Sequence, residues 1–234
     1  PTYVARHLVH YGTVPEGIAH VPPSRNGLQM QLHRSNLMRQ GASSTGMTSR
    51  RPQKLIIYLE GNIVAGKSAC IEALETRYAD PVGDVGFIDE PLEAWTEGDI
   101  NLLQAMYEGS LSHPTFQLLA LCCRAGRTTT ALQGSDIVIA ERSLWSDRHV
   151  FANTVIKDPI ALKAYEVAHS HLKDSMPLDL AESHIILELP PEVALARIRR
   201  RARPEESHIT IECLQELEAA HSGLAMSDEV HVIR

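Results

Sequence analysis

A short apolar run, Leu55-Ile56-Ile57-Tyr58-Leu59, leads through Glu60 into Gly61-Asn62-Ile63-Val64-Ala65-Gly66-Lys67-Ser68, after which the pattern becomes helical. The eight residues from Gly61 fit G-x-x-x-x-G-K-[ST] in the context that the motif requires, after a strand and before a helix. The glycines let backbone N–H groups turn inward, and the helix N-terminus adds positive potential, so the loop becomes a cradle for phosphate. Lys67 can reach the β- and γ-phosphates, and the Ser68 hydroxyl can ligate magnesium. Gly61, Asn62, Ala65, Gly66, Lys67 and Ser68 are therefore the expected nucleotide-binding positions, with ATP and Mg2+ as the implied ligands. Such a loop says nothing of the second substrate.

From Lys54 onward short β-rich runs alternate with longer helical stretches, the pattern of an α/β fold. Strands are expected at 55–59, 86–89, 136–140, 184–189 and 230–233. Helices are expected at 66–78, 114–132, 146–173 with a break near Asp158-Pro159, from Pro191 into an arginine-dense stretch, and 210–220. Asp136-Ile137-Val138-Ile139-Ala140 is nearly continuous in apolar character, as a strand buried on both faces should be. The fold class expected is a P-loop kinase fold, a parallel sheet flanked by helices on both faces. Cys122 and Cys123, within the apolar helix 114–132, are expected to act as small core residues. The four cysteines show no metal-binding spacing.

Charge divides the chain. Residues 1–50 hold five arginines against a single acid, Glu16, so more than the whole net charge of −7 sits beyond residue 50. That segment is Arg-rich, Ser-containing and acid-poor, and it has no sustained apolar period. It reads as a disordered leader or as an organelle transit peptide, with a mitochondrial or a cytoplasmic location following from the choice. The chain opens on Pro1, which suits a fragment or a processed form. The acidic balance argues against a general nucleic-acid binder, and no apolar run is long enough to span a membrane.

Five further segments occur in order: Glu90-Pro91-Leu92-Glu93-Ala94-Trp95; Asn101 to Tyr107; Phe116-Gln117; Glu141-Arg142-Ser143 followed by Ser146-Asp147-Arg148; and Arg197 to Glu206. Together they resemble the deoxynucleoside kinase family over residues 54–234. Physical reasoning agrees with that likeness. Glu90 ends a strand where parallel sheets hold ligands, and could take the proton from an attacking hydroxyl; its plain alternative is a cap or a salt bridge. Glu141 is placed to hold magnesium, and Arg142 to orient Glu90 or the acceptor oxygen, unless both merely pair with other charges. Arg197, Arg201 and Arg203 fall where a helix frays into a loop. The resemblance makes them an arginine-rich lid, Arg197 toward the nucleotide and Arg201 and Arg203 toward the transferring phosphoryl group.

By the same resemblance Tyr107 and Glu206 hold the 3′-hydroxyl, Gln117 pairs with the base edge and Trp95 walls the nucleoside cleft. Arg124 and Asp147 match the branch that contains the deoxycytidine and deoxyguanosine kinases, which implies purine or cytosine deoxyribonucleosides as substrates. A homodimer is implied by the family alone. The expected reaction is ATP-dependent phosphorylation of a deoxyribonucleoside 5′-hydroxyl, a step of nucleotide salvage. The alternatives are a thymidylate-like nucleoside-monophosphate kinase and a non-catalytic kinase-like subunit of a mitochondrial complex. Three departures stand out. Val64 occupies a loop position where relatives more often carry Gly, Ala or Ser. His221-Ser222-Gly223-Leu224 keeps only the histidine of a His-Glu-x-Trp segment, with Gly223 expected to end its helix early. The chain also stops at Arg234, where relatives continue, which implies weaker adenine binding or a truncated sequence.

Overall fold

A computed structural model describes residues 54–78, 85–177, 180–224 and 230–233. The expected leader over residues 1–50 lies outside them. Five parallel strands form one sheet: β1 (Leu55–Gly61), β2 (Val85–Ile88), β3 (Ile137–Glu141), β4 (Ala181–Leu187) and β5 (Val230–Ile233), in the spatial order β2-β3-β1-β4-β5. Around it lie α1 (Lys67–Tyr78), α2 (Leu92–Thr96), α3 (Leu102–Tyr107), α4 (His113–Gly134), α5 (Pro159–Asp174), α6 (Pro191–Arg201) and α7 (Ile211–Leu224). This is the parallel α/β architecture that the sequence implied.

The central strand explains why the sheet is buried on both faces. Ile57 and Leu59 of β1 pack with Ile71 and Leu74 of α1 on one side, while Ile56 and Tyr58 meet Val138, Ala140 and Leu132 of α4 on the other. Alternation along one strand thus feeds two cores. β1 pairs with β3 in the register Leu59 to Glu141, and with β4 in the register Leu55 to Ala181. That second pairing draws β4 three residues earlier than its apolar run suggested, because backbone hydrogen bonding recruits Ala181, Glu182 and Ser183.

Local chemistry starts most of the helices. The Asn101 side chain accepts from the Gln104 N–H at the start of α3, and Ser112 does the same for Thr115 at the start of α4. Asp158 accepts from Ile160 and Ala161, with Pro159 in the first turn of α5, so the expected break falls there. Before it, residues 144–155 form a composite helix whose middle, Asp147–Ala152, is π-helical. The short helices α2 and α3 had no sequence signal long enough to assign.

Two local expectations fail. Cys122 is exposed and Cys123 only half-buried, because the stripe of α4 that faces inward runs through Phe116, Gln117, Ala120, Leu121, Arg124 and Ala125. Helix α7 also continues past Gly223 to Leu224, whose side chain is 5% exposed. Burying that leucine carries the helix through the glycine. No described helix is long and apolar enough to cross a membrane.

The sharpest backbone demand lies at the end of β1. Gly61 has φ +130°, and a Cβ there would run into the Leu187 carbonyl, whereas Gly66 has φ +103° with open space around it. Gly61→Ala should therefore lower the unfolding free energy by more than about 3 kcal/mol, and Gly66→Ala by about 1–2 kcal/mol, since only the former adds a clash to the strain. Urea denaturation of both variants checks the order.

Candidate active site

Residues at the carboxyl ends of β1, β2 and β3 converge on a cleft of about 740 Å³, the place where open α/β sheets bind ligands. Its floor is the loop after β1. Lys67 is buried and donates to the Gly61 and Asn62 carbonyls at 3.2 and 2.9 Å. Its Nζ also lies 3.7 Å from Glu141 Oε1. Burial, reinforced by Arg142, lowers the Lys67 pKa to about 8. Ser68 Oγ donates to Glu141 Oε2 at 2.8 Å. A hydroxyl and a carboxylate side by side, next to a phosphate loop, are the donors that Mg2+ takes when phosphates and water complete its shell. Among the described residues no cluster of three or more His, Cys, Asp or Glu offers a metal site supplied by the protein alone.

Asn62 and Ala65 serve the loop rather than face the cleft. The Asn62 amide donates to the Leu214 carbonyl at 2.8 Å, its Oδ1 takes the Ile63 N–H, and its carbonyl accepts from Ala65 N–H at 3.3 Å. Val64 has φ +55°, a conformation uncommon for a β-branched residue. Packing against the Ile198, Ile209 and Leu214 cluster holds it, and its carbonyl accepts from Arg197 at 3.2 Å. Arg197 thus rests on the phosphate loop.

Above the loop, cations and carboxylates alternate. Glu90, its side chain 22% exposed, accepts from Arg142 Nε at 3.2 Å and faces Arg124 at 3.7 Å. Burial would raise the Glu90 pKa, but Arg142, Arg124 and Lys67 outweigh it and hold it below the ordinary 4.5. Arg124 Nε bonds Asp147 Oδ2 at 2.8 Å, and its NH1 donates to the Glu141 carbonyl. Burial pulls the Arg124 pKa down, yet Asp147 and Glu90 push it up further, so the guanidinium stays charged. Arg142 has φ +66° and lies 4.4 Å over the Phe151 ring.

The remaining expected residues divide. Gln117, Trp95 and Tyr107 line the cleft, with Trp95 set edge-on against Phe116 at 5.3 Å. Glu206 is buried, and after burial itself its charge is the next cause raising the Tyr107 pKa. Glu206 is also gripped by both Arg201 nitrogens that face it. Helix α6 ends on Ala202 in the left-handed region, which places Arg203 outside it, exposed at the cleft edge. Sequence reasoning missed Phe151, the cation–π platform under Arg142. Its only signal was its place one turn after Asp147. It also missed Glu60, a lone acid ending an apolar strand.

A phosphate loop, a hydroxyl–carboxylate pair beside it and a carboxylate held ionised among arginines define a P-loop phosphotransferase. The family model for deoxynucleoside kinases matches residues 57–233. The chain belongs to the deoxynucleoside kinase family, and it is an enzyme that phosphorylates deoxynucleosides with ATP as donor. Deoxycytidine kinase 1 of Xenopus laevis is 31% identical over 193 residues, 70% of this chain and 71% of that protein. The mitochondrial deoxyguanosine kinase of the same species is 27% identical over 220 residues, 83% and 82% of the two chains. Mitochondrial thymidine kinase 2 of Macaca fascicularis is 26% identical over 198 residues, covering 80% and 70%.

Removing the Glu90 charge while keeping its shape tests the centre of this site. Glu90→Gln should lower kcat by about 10²- to 10⁴-fold, with ATP binding measured by calorimetry unchanged. A base must be ionised to accept a proton, and a lowered pKa keeps it ionised further into acid. If Glu90 is the titrating base, the acid limb of kcat/KM in the unaltered enzyme should have its midpoint below pH 4.5; a midpoint near pH 6 would exclude that role.

Proposed function

We propose that this kinase transfers the γ-phosphoryl group of ATP to the 5′-hydroxyl of deoxyribonucleosides carrying cytosine or a purine. The observation that carries the base preference is the Arg124–Asp147 pair, buried and bonded at 2.8 Å on the cleft wall. It offers donors and an acceptor to a polar base edge beside Gln117. A base that leaves such buried groups unpaired is penalised, which is how polar sites discriminate.

The geometry supports the following roles. Glu90 takes the proton of the attacking hydroxyl. A weak carboxylate base suffices because the transition state of phosphoryl transfer is loose and the proton leaves late. Arg142 orients Glu90. Lys67 and the backbone of the Gly61–Ser68 loop hold the phosphates, and Ser68 with Glu141 hold Mg2+, which when bound offsets charge on the β- and γ-oxygens. Arg197 stays with the nucleotide, while Arg201 and Arg203 reach the equatorial oxygens. Tyr107 and Glu206 take the 3′-hydroxyl; Trp95 packs on the sugar and base. Arg124 and Arg142 each face a carboxylate, which suits a neutral acceptor better than one that already bears a phosphate.

Two wider features belong to the same proposal. Helix α5 exposes Ile160 and Val167, 80% and 60% accessible and two turns apart on one face, in support of a homodimer. The relatives named for deoxyguanosine and thymidine carry the word mitochondrial, in support of a mitochondrial location beside the cytoplasmic one. A net charge of −7 gives no support to a nucleic-acid partner.

With Mg-ATP and each of deoxyadenosine, deoxyguanosine, deoxycytidine and thymidine, chromatography should find monophosphate from a purine or cytosine nucleoside at kcat/KM at least about tenfold above thymidine. Equal or greater turnover of thymidine would overturn the role given to Arg124 and Asp147. In the same assay Asp147→Asn should cost that preferred nucleoside about 10- to 100-fold in kcat/KM, by leaving Arg124 buried without its nearest counter-charge.

A further inference from the structure

Glu60 ends the run of side chains on the α4 side of β1, after Ile56 and Tyr58. It is fully buried and is not part of the cleft wall. A buried carboxylate is costly unless its oxygens are bonded. Here Oε1 accepts from the Ser143 backbone N–H at 3.0 Å and from the Ser143 hydroxyl at 2.5 Å, while Oε2 has no hydrogen-bond partner among the described residues. His184, on the neighbouring strand β4 and stacked on Tyr58, faces the same oxygen at 3.5 Å. Burial alone would raise the Glu60 pKa, but His184 and the Ser143 bonds bring it below the ordinary value.

These bonds fall on a strained turn. Arg142 adopts φ +66°, which an L-residue other than glycine holds only where its neighbours impose it. On one side the Arg142 N–H donates to the Leu59 carbonyl at 3.0 Å. On the other, the next N–H, that of Ser143, donates to Glu60. Two consecutive residues of β1 therefore bracket Arg142. The Ser143 hydroxyl also accepts from Ser146 N–H and so joins the same carboxylate to the helix that follows. Without the bracket Arg142 can relax toward the right-handed or extended region, which swings its guanidinium away from Glu90, from the Gly61 carbonyl and from Phe151.

We propose that Glu60 is a positioning residue for phosphoryl transfer: its buried carboxylate, acting through Ser143, holds Arg142 in its working geometry. The inference rests on the reading of Arg142 as the residue that orients Glu90, and a double-mutant cycle separates the two.

The assay is steady-state turnover with Mg-ATP and whichever of the four deoxynucleosides the unaltered enzyme uses best. Glu60→Ala should lower kcat about 10- to 100-fold, the range for removing a group that orients a catalytic residue, with both KM values changed less than about threefold. Glu60→Gln keeps an oxygen for both Ser143 donors and should restore kcat to within about fivefold of the unaltered enzyme. In the Arg142→Ala background, Glu60→Ala should cost less than about a further threefold, because the residue it positions is gone. An equal loss in both backgrounds, or a Glu60→Gln enzyme as slow as Glu60→Ala, would overturn the proposal. Arg142→Ala slow but Glu60→Ala fast refutes only the role of Glu60; Arg142→Ala at full speed refutes the assignment of Arg142 beneath it. Should Glu60→Ala not fold, Ser143→Ala replaces it: a loss of about three- to tenfold in kcat that vanishes in the Arg142→Ala background supports the proposal, and one that persists there, or no loss at all, overturns it.

Discussion

The parallel pairing of β1 with β3, in the register that sets Leu59 opposite Glu141, is the constraint on which the site depends. It brings the end of one strand, with the phosphate loop, against the end of the other, with Glu141, Arg142 and Ser143. Ser68 and Lys67 reach Glu141 only because these ends are level. A slip of one residue would turn Glu141 to the opposite face and remove it from the loop. The same pairing gives Arg142 its Leu59 acceptor and Ser143 its Glu60 acceptor. Hydrophobic burial on both faces of β1 secures the register.

Above that frame the site is an electrostatic arrangement more than a shape. Arg124 and Arg142 hold Glu90, Asp147 holds Arg124, and Glu206 holds Arg201. Buried charges are costly alone and tolerable only in such company. Their dispositions are therefore stiff, which suits a reaction whose catalysis is mostly positioning and charge stabilisation. Arg201 links the end of α6 to Glu206, the residue proposed for the sugar. Val64, packed on the cluster around Ile198, links α6 to the phosphate loop as well.

Much of this was legible in the residues. The strand–loop–helix around Gly61 to Ser68 declared itself by turn chemistry, and β3 by its unbroken apolar run. Asp158-Pro159 marked a helix boundary by capping. What escaped did so for physical reasons. Cys122 lies on the outer side of α4 because Gln117 and Arg124 share the buried stripe, Arg124 with Asp147 and Glu90 as partners. Gly223 does not end α7 because Leu224 has a core to enter. Helices α2 and α3 are too short for a 3.6-residue period to declare itself, and the π-helical turns at Asp147–Ala152 keep helical patterning while shifting every side chain beyond them.

By itself the sequence determined the phosphate loop, the alternation of strands and helices, and the set of acids and arginines placed at strand ends, because turn chemistry and hydrophobic period act over a few residues. Tertiary structure alone decided which of those groups meet. Asn62 ties to Leu214 across 152 positions of chain, and Glu60 to Ser143 across 83. Such pairings are set by strand register and helix packing, which no local pattern encodes. That is why Glu60, silent in the sequence as one acid after an apolar run, emerges from the fold as the anchor of the Arg142 turn.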